Sequence, residues 1–256
     1  MDTNLILANA KYLIAFAVLV SIIETFFNNH PDKKKNIRYF VSDYILFGIE
    51  YFFLNLITIG SILNFANFKN LQFVNWTDSL GTFVIALLAY DAFFYLEHYL
   101  MHRTRFLWAF HYVHHSSEYF GMSLGFRLSW FRHLRRIFFA FPLFLLGFSE
   151  GILLSAMMFL NLYALFVHSN LKFKFPRLLS WLMSPYLHSI HHEKQNIKGY
   201  NLGGMTTIWD RVFKTYKDST TANAEYGVHG YQFTMNPILN QTKTVFEYFA
   251  KKLKIT

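Results

Sequence analysis

The sequence predicts an all-α fold: an integral membrane helical bundle of about four to five membrane segments, with a cytosolic helical cap that carries a cluster of histidines. Hydrophobic residues make up 54% of the 256 residues and aromatic residues 20%, whereas charged residues make up only 15%. An average soluble domain has about 25% charged residues. The apolar residues also fall in long runs, and basic residues flank those runs. The composition therefore favours a membrane protein.

Four apolar runs predict the membrane segments, and they cover residues 5–27, 39–65, 80–96 and 137–167. The first run is long enough to cross a hydrocarbon layer of roughly 30 Å, and it lacks the basic start and cleavage site of a signal peptide. We interpret it as an uncleaved anchor. The second run is apolar apart from Asp43 and Glu50. The fourth is long enough for two short helices, with Gly147 to Glu150 as the turn between them.

Basic clusters orient these runs, since cytoplasmic loops are enriched in Lys and Arg. The clusters lie at 33–38, 132–136 and 172–177, and this alternation brings every histidine box to the cytoplasmic face. It also explains the formal charge of +9 without nucleic acid, which we do not expect as a partner. We divide the chain into N-terminal anchor helices (1–79), a histidine-bearing domain (80–216) and a cytosolic tail (217–256). A short amphipathic helix is predicted in the tail from residue 237.

Nine of the twelve histidines form three boxes and one separate position. They are His98-x3-His102, His111-x2-His114-His115, His188-x2-His191-His192 and His168. On a helix, residues three or four apart share a face, whereas adjacent residues diverge by about 100° and can reach two different ions. Nine imidazoles exceed what one octahedral ion uses, so the spacing predicts a two-metal centre. The alternatives are packed or solvated histidines and an unrelated structural zinc. With no cysteine present, the ligands must be nitrogen or oxygen.

Other polar residues are candidates for supporting roles. Asp91 and Tyr95 share one helical stripe with His98 and His102, within about 60°. We expect Asp91 to hydrogen-bond a histidine of another box and fix its tautomer, and a cap or salt bridge at the membrane boundary is the alternative. Four arginines can hold a phosphate or other polar headgroup or can be ordinary cytoplasmic flanking residues. They are Arg127, Arg132, Arg135 and Arg136.

Three histidines lie outside the boxes. His133 belongs to a basic patch, where a lipid headgroup contact is favoured over metal ligation. His229 is expected at the surface. His30, next to Pro31, is expected in a loop.

The histidine boxes, in this order and with their neighbours, resemble those of the fatty acid hydroxylase / sterol desaturase superfamily of membrane di-iron oxygenases. The matching motifs are Asp91-x6-His98-x3-His102, Leu107-Trp108-x2-His111-x2-His114-His115-Ser116-Ser117-Glu118, Phe166-x-His168-Ser169-Asn170, His188-x2-His191-His192 and Asn201-x-Gly203-Gly204-x4-Trp209-Asp210-Arg211. They cover roughly residues 88–216. The His-His-Ser-Ser-Glu run and the Asn-x-Gly-Gly motif are most similar to the alkylglycerol monooxygenase branch, which cleaves ether lipids with a pterin reductant.

The resemblance implies that residues 80–216 form a catalytic domain in which the nine histidines bind two iron ions, although purified material can hold zinc. It implies O2 activation and attack on an unactivated C–H bond of a membrane lipid or sterol. Electrons come from a pterin or from a cytochrome- or ferredoxin-type donor, in a bacterial inner membrane or the endoplasmic reticulum. Asn201 joins Asp91 and Tyr95 as an expected support of the ligands, and the motif from Trp209 to Arg211 is expected to clamp the cap over the site.

Two other functions stay open from the sequence. A lipid or sterol desaturase uses the same kind of centre, and residue types do not separate it from a hydroxylase. A membrane metal carrier or sensor is the non-enzymatic alternative. A carrier needs a polar path across the bilayer, for which the apolar runs offer Asp43, Glu50 and Glu150.

Overall fold

The computed structural model describes residues 15–24, 33–50, 55–171, 173–196, 199–220, 224–229 and 236–250. This part of the chain is all-helical. It contains no β-strand, only two isolated antiparallel bridges, Leu182 with Thr206 and Glu193 with Tyr226. The α-helices are α1 (Ala15–Glu24), α2 (Lys33–Ile49), α3 (Asn55–Leu63), α4 (Leu80–Arg103), α5 (Arg105–His115), α6 (Phe131–Leu145), α7 (Glu150–Val167), α8 (Pro185–His191), α9 (Ile208–Val212) and α10 (Pro237–Phe249). Short 3-10 helices cover Asn64–Leu71, Met122–Phe126, Arg177–Leu179 and Lys194–Asn196.

Helices α4 and α7 are the two helices of the described chain that are long and apolar enough to cross a membrane. Each begins at a serine cap, which satisfies one of the free N–H groups of a first turn. The Ser79 hydroxyl accepts from the Thr82 N–H at 3.1 Å, and the Ser149 hydroxyl accepts from the Ile152 N–H at 3.2 Å. Helix α7 ends at His168, and the last turns of α4 carry the first histidine box. Both helices therefore end at the histidines.

The predicted hairpin at 137–167 is confirmed, because α6 and α7 are joined by a tight turn at Gly147. Gly147 has φ +100°, a conformation that side chains with a Cβ rarely adopt. Its backbone also packs against residue 74, since a Cβ there would lie 2.1 Å from the Val74 carbonyl oxygen. A core of small and branched side chains fills the space between α3, α4, α6 and α7. Its centre includes Ile62, Ala86, Leu143, Ile152 and Ala156.

The structure describes the predicted second run, residues 39–65, in two parts. They are the end of α2 and α3 with the first residues after it, and residues 51–54 lie outside the described residues. The run contains two carboxylates, which an apolar layer does not accept without partners. Asp43 and Glu50 are buried and form ion pairs with Arg127 and Arg132. Of the first run, the structure describes only α1, and His30 lies outside the described residues.

The short helices gather at one end of the bundle. Helix α5 packs against the end of α4, α8 packs against α7, and the tail helix α10 packs against α5. The predicted helix in the tail is thus confirmed as α10. These elements enclose the histidines.

Replacing Gly147 by Ala should destabilise the fold by about 1 to 3 kcal/mol, because the new Cβ meets a backbone carbonyl and φ stays positive. The matched control is Gly60→Ala in α3, where a Cβ meets nothing within 4 Å. That change should be neutral or stabilise by up to about 1 kcal/mol. Thermal unfolding of the detergent-solubilised protein measures both. Equal melting temperatures for the two variants would contradict the assigned turn.

Candidate metal centre

All nine predicted histidines come together in two groups, and within each group the ligating nitrogens lie within 4.8 Å of one another. The first group consists of His98, His102, His111, His115 and His191. The second consists of His114, His168, His188 and His192. All of them are buried except His102, which is partly exposed. The histidines lie on α4, α5 and α8 and at the two residues that directly follow α7 and α8, which are His168 and His192.

Helical spacing explains which histidine joins which group. Residues four apart share a group, as His111 and His115 do, and as His188 and His192 do. The adjacent neighbour points elsewhere, so that His114 belongs to the second group. His191 belongs to the first group, although its neighbours His188 and His192 belong to the second. The prediction that adjacent histidines diverge to separate sites is confirmed, and the structure selects the four-residue spacing over the three-residue one.

Backbone carbonyls fix the orientation of four of the rings. The Nδ1 atoms of His98, His114, His168 and His191 lie 2.8, 3.0, 2.6 and 2.9 Å from the carbonyl oxygens of Leu202, Arg127, Ala164 and Tyr200, respectively. A carbonyl oxygen only accepts, so Nδ1 must carry the proton and donate it. The Nε2 atom then presents a bare lone pair. This is the ring state in which a histidine binds a metal ion.

The distances between these lone pairs fit a cation. The Nε2 atoms of His114 and His168 are 3.2 Å apart, and neither has a proton to share. Two imidazoles at right angles on an ion at about 2.1 Å lie about 3.0 Å apart. Similar separations join His188 to His168 (3.0 Å) and His98 to His111 (3.0 Å). The donor set therefore fits metal ions, because lone pairs packed this closely repel one another without one.

Burial keeps the rings neutral. Burial first, and neighbouring imidazoles second, lower the pKa well below its ordinary value for His111, His114, His115, His188, His191 and His192. Burial lowers the pKa of His168 to about 4. A histidine with so low a pKa is uncharged at pH 7, and its lone pair is available to an ion.

Asp91 does not hydrogen-bond a histidine, in contrast to the prediction. Its carboxylate accepts from the Met205 N–H at 2.7 Å, the Thr206 hydroxyl at 2.6 Å and the Trp209 indole N–H at 3.1 Å. The returning segment 201–209 occupies the space beside Asp91, two turns before His98. Through the same contact, Trp209 of the predicted clamp links this segment to α4. Asp91 thus acts on the ligands indirectly. It holds the segment that contains Leu202, and the Leu202 carbonyl accepts the hydrogen bond from His98.

Tyr95 contacts the chain just beyond this segment, whereas Asn201 belongs to the segment, and neither forms a hydrogen bond with a histidine ring of the described residues. The Tyr95 hydroxyl lies 2.9 Å from the Thr215 hydroxyl. The Asn201 amide donates to the carbonyls of Leu187 and Lys217 at 2.9 and 2.8 Å, and this links the segment to α8. Asn201 has φ +52°, a left-handed conformation that asparagine tolerates.

Sequence reasoning gave Asp210 no contact of its own, although it organises the segment. Its carboxylate accepts from the N–H groups of Leu202 and Gly203 at 2.7 and 2.9 Å and from the Thr215 hydroxyl at 2.7 Å. Gly203 is required here, since a Cβ would lie 2.0 Å from the Thr206 carbonyl oxygen. The Asn-x-Gly-Gly and Trp-Asp-Arg motifs were the available signal.

The four arginines have partners inside the protein. Arg127 forms a buried ion pair with Asp43 at 2.7 Å. Arg132 pairs with Glu50, and Arg135 with Glu97. Arg136 donates to the Asn161 side-chain oxygen. They are therefore not simple solvated flanking residues. Arg127, Arg132 and Arg135 are ion-paired within the protein.

The remaining histidines separate clearly. His133 is buried, and its Nδ1 lies 3.0 Å from the Thr58 hydroxyl on α3. The predicted headgroup contact is wrong, because α3 packs over the basic patch. His229 is exposed, as predicted.

Two cavities adjoin the histidines. The first, of about 130 Å³, lies between α4, α6 and α7 and is here called the buried cavity. Its wall includes His98, His111, His114, His168 and His188, the apolar side chains Phe94, Phe139, Met157 and Leu160, and the polar side chains Glu97, Arg132, Arg135, Arg136 and Asn161. The second, of about 520 Å³, is more open and is lined by Glu118, Phe120, Lys194, Glu225 and Tyr226.

Phe120, which the sequence did not single out, joins the open cavity to the histidines. Its ring centroid lies 6.0, 6.4 and 5.4 Å from those of His168, His188 and His192. Its other neighbour is Tyr226, at 5.4 Å and nearly parallel. An aromatic pair therefore separates the second histidine group from the open cavity.

The sequence model of the fatty acid hydroxylase family matches residues 83–215, just over half of the chain. The chain belongs to this family. It is similar to the alkylglycerol monooxygenases of Danio rerio (34% identity over 54% of this chain and 31% of the relative), Caenorhabditis elegans (28% over 69% and 36%) and Homo sapiens (28% over 68% and 39%). The chain thus spans about a third of the length of these curated relatives. No solved structure matches it.

In this member of the fatty acid hydroxylase family, Asp91→Asn should lower the free energy of unfolding by about 1 to 3 kcal/mol. The NH2 group of the new amide would face the N–H and O–H donors that the carboxylate oxygens accept from, so buried donors would lose their acceptor. The control is Asp218→Asn, which removes an exposed ion pair with Lys174 and should cost at most about 1 kcal/mol. Thermal unfolding in detergent compares the two. A loss for Asp91→Asn no larger than for the control would contradict the assigned role.

Proposed function

We propose that this protein is a membrane-bound, non-haem di-iron oxidoreductase that hydroxylates an unactivated C–H bond of a membrane lipid or sterol. The observation that carries the proposal is the pair of buried histidine groups whose lone pairs face one another beside an apolar cavity. The names of the relatives favour an ether-lipid monooxygenase within this class. O2 is the second substrate.

The two groups would each hold one iron ion, with the nine histidines as ligands. When bound, iron supplies the reduction of O2 and the oxidising power for the C–H bond. Imidazole also suits zinc, so that purified material can contain zinc in these sites. The Nδ1–H bonds to carbonyls keep the rings aimed at the ions. Asp91, Tyr95 and Asn201 hold the segment that provides part of that support.

The buried cavity gives the substrate its place. It brings the C–H bond next to His98, His111 and the second group, and its apolar wall excludes water from the reacting atoms. In the balanced reaction, one oxygen atom of O2 enters the C–H bond as hydroxyl and the other leaves as water. Two electrons and two protons come from an external reductant. A pterin or a cytochrome- or ferredoxin-type protein fits that requirement.

The open cavity is the proposed entry for those electrons. Phe120 contacts three histidines of the second group, and Tyr226 stacks on Phe120 from the cavity side. The edge of the cavity carries both signs of charge, with Lys194 and Glu225. Between a donor in this cavity and the ligand histidines lie only the rings of Tyr226 and Phe120 among the described residues.

The membrane placement is also a proposal. Helices α4 and α7 are long enough to span, and both end at the histidines, so their histidine-bearing ends belong on one face. With the positive-inside rule, that face is cytoplasmic, in a bacterial inner membrane or the endoplasmic reticulum. The apolar runs support about four to five segments and the division at residue 79, and the end of the family's motifs supports the division at residue 216.

The metal carrier or sensor finds little support. Of its three candidate polar groups, Asp43 and Glu50 are committed to ion pairs with arginines. Glu150 stands at the start of α7, at the opposite end from His168. The described residues thus provide no chain of open polar groups across the bundle.

Replacing His191 or His114 by Ala should remove one ligand from the first or the second group, respectively. Iron content should fall from about two ions per chain toward one. Activity should fall by more than about 100-fold, because mutating residues that only support a ligand already lowers metal affinity or activity by about 10- to 100-fold. His229→Ala, at an exposed histidine, is the control and should change neither quantity. Metal analysis and turnover are measured on the membrane fraction. Full turnover in either variant would contradict the assignment of these histidines as metal ligands.

The chemistry itself is tested by the mass of the product. We expect iron-reconstituted protein in native lipid extract, given 18O2 and a reductant, to yield a lipid that gains one labelled oxygen atom. A product that instead lost two hydrogens and carried no label would identify a desaturase. Metal exchange without O2 consumption would favour the carrier. Protein with His114→Ala provides the background for each measurement.

A further inference from the structure

The wall of the buried cavity is mostly apolar, but it includes three positively charged side chains. Arg132, Arg135 and Arg136 all line it, next to the ligand histidines. A charge that leaves water needs a partner of opposite charge or a full set of hydrogen bonds. Each of the three guanidinium groups therefore requires such a partner.

Two carboxylates serve the three arginines. Glu97 pairs with Arg135, and Glu50 pairs with Arg132. The Glu50 carboxylate also attracts Arg136, so that one negative charge faces two positive ones.

The partner of Arg136 is neutral. Its guanidinium donates to the amide oxygen of Asn161. Asp91 also lies on the cavity wall, but its oxygens accept from Met205, Thr206 and Trp209. Among the described residues, Arg136 is thus the arginine of this wall whose hydrogen-bond partner is a neutral side chain.

We propose that Arg136, with Asn161 beside it, binds an anionic group of the substrate, a carboxylate or a phosphate. The proposal rests on the proposed function and names its substrate class. A guanidinium presents a planar fork of donors that matches the oxygens of both groups, and such bonds are stronger than those between neutral partners. An anion there would give Arg136 a charged partner in place of the neutral amide, whereas a neutral hydroxyl would not.

The lining of the cavity limits how the substrate lies. One wall extends from the ligand histidines to Arg136. Because His98 and His168 share this wall with Arg136, the carbon presented to the metal centre is close to the anionic group.

Binding of short amphiphiles to the full-length, detergent-solubilised protein tests the proposal. Hexanoate, hexyl phosphate and hexanol share one alkyl chain and differ in the head, and inorganic phosphate controls for the head alone. We expect hexanoate or hexyl phosphate to bind at least about 10-fold more tightly than hexanol. The stronger of the two identifies carboxylate or phosphate as the natural head. Equal affinity for all three alkyl probes overturns the proposal.

Three variants locate the anion. Arg136→Gln should remove the preference over hexanol, and Arg136→Lys should retain only part of it, because the charge stays but the planar fork of donors is lost. Asn161→Leu frees the guanidinium and should also keep the preference. An unchanged preference in Arg136→Gln, or its loss in a folded Asn161→Leu variant, contradicts the assignment. These measurements need neither O2 nor reductant, so a failed oxidation assay and a failed anion site give different results.

Discussion

The structure depends on keeping nine neutral imidazoles buried with their lone pairs directed inward. Desolvation alone makes the rings neutral, but it does not orient them. Orientation comes from backbone carbonyls at Leu202, Arg127, Ala164 and Tyr200, which accept the Nδ1 protons. Only the Ala164 carbonyl belongs to a ring's own helix. The others lie in irregular segments, which must be held in place by further side chains.

Buried carboxylates provide that hold. Asp91 and Asp210 accept several hydrogen bonds from segment 201–215 and fix its path along α4. Arg127 has two functions, since its guanidinium pairs with Asp43 on α2 while its carbonyl accepts from His114. The N-terminal helices are thereby connected to the second histidine group. A substitution at Asp43, far from any ligand in sequence, acts on the same ring.

Helical periodicity made much of the site predictable. The spacing of the boxes implied that His114 and His115 diverge, and the two groups follow that rule. Tertiary contacts were not predictable in the same way. Asp91 has the spacing of a ligand support, but only the return of segment 203–209 decides that it bonds backbone N–H groups. Arg132 and its neighbours read as flanking charges, because nothing local shows that Glu50 and Glu97 face them. For the same reason, the apolar run at 39–65 did not show that Asp43 and Glu50 pair with Arg127 and Arg132.

The order of these parts along the chain affects how the site is assembled. Domains form largely in the order of synthesis, and segment 199–210 follows every histidine of both groups. Until it leaves the ribosome, His98 and His191 lack the carbonyls of Leu202 and Tyr200. The orientation of these two rings therefore depends on a part of the chain that is synthesised after all nine histidines, and Asp91 holds that part through Met205, Thr206 and Trp209.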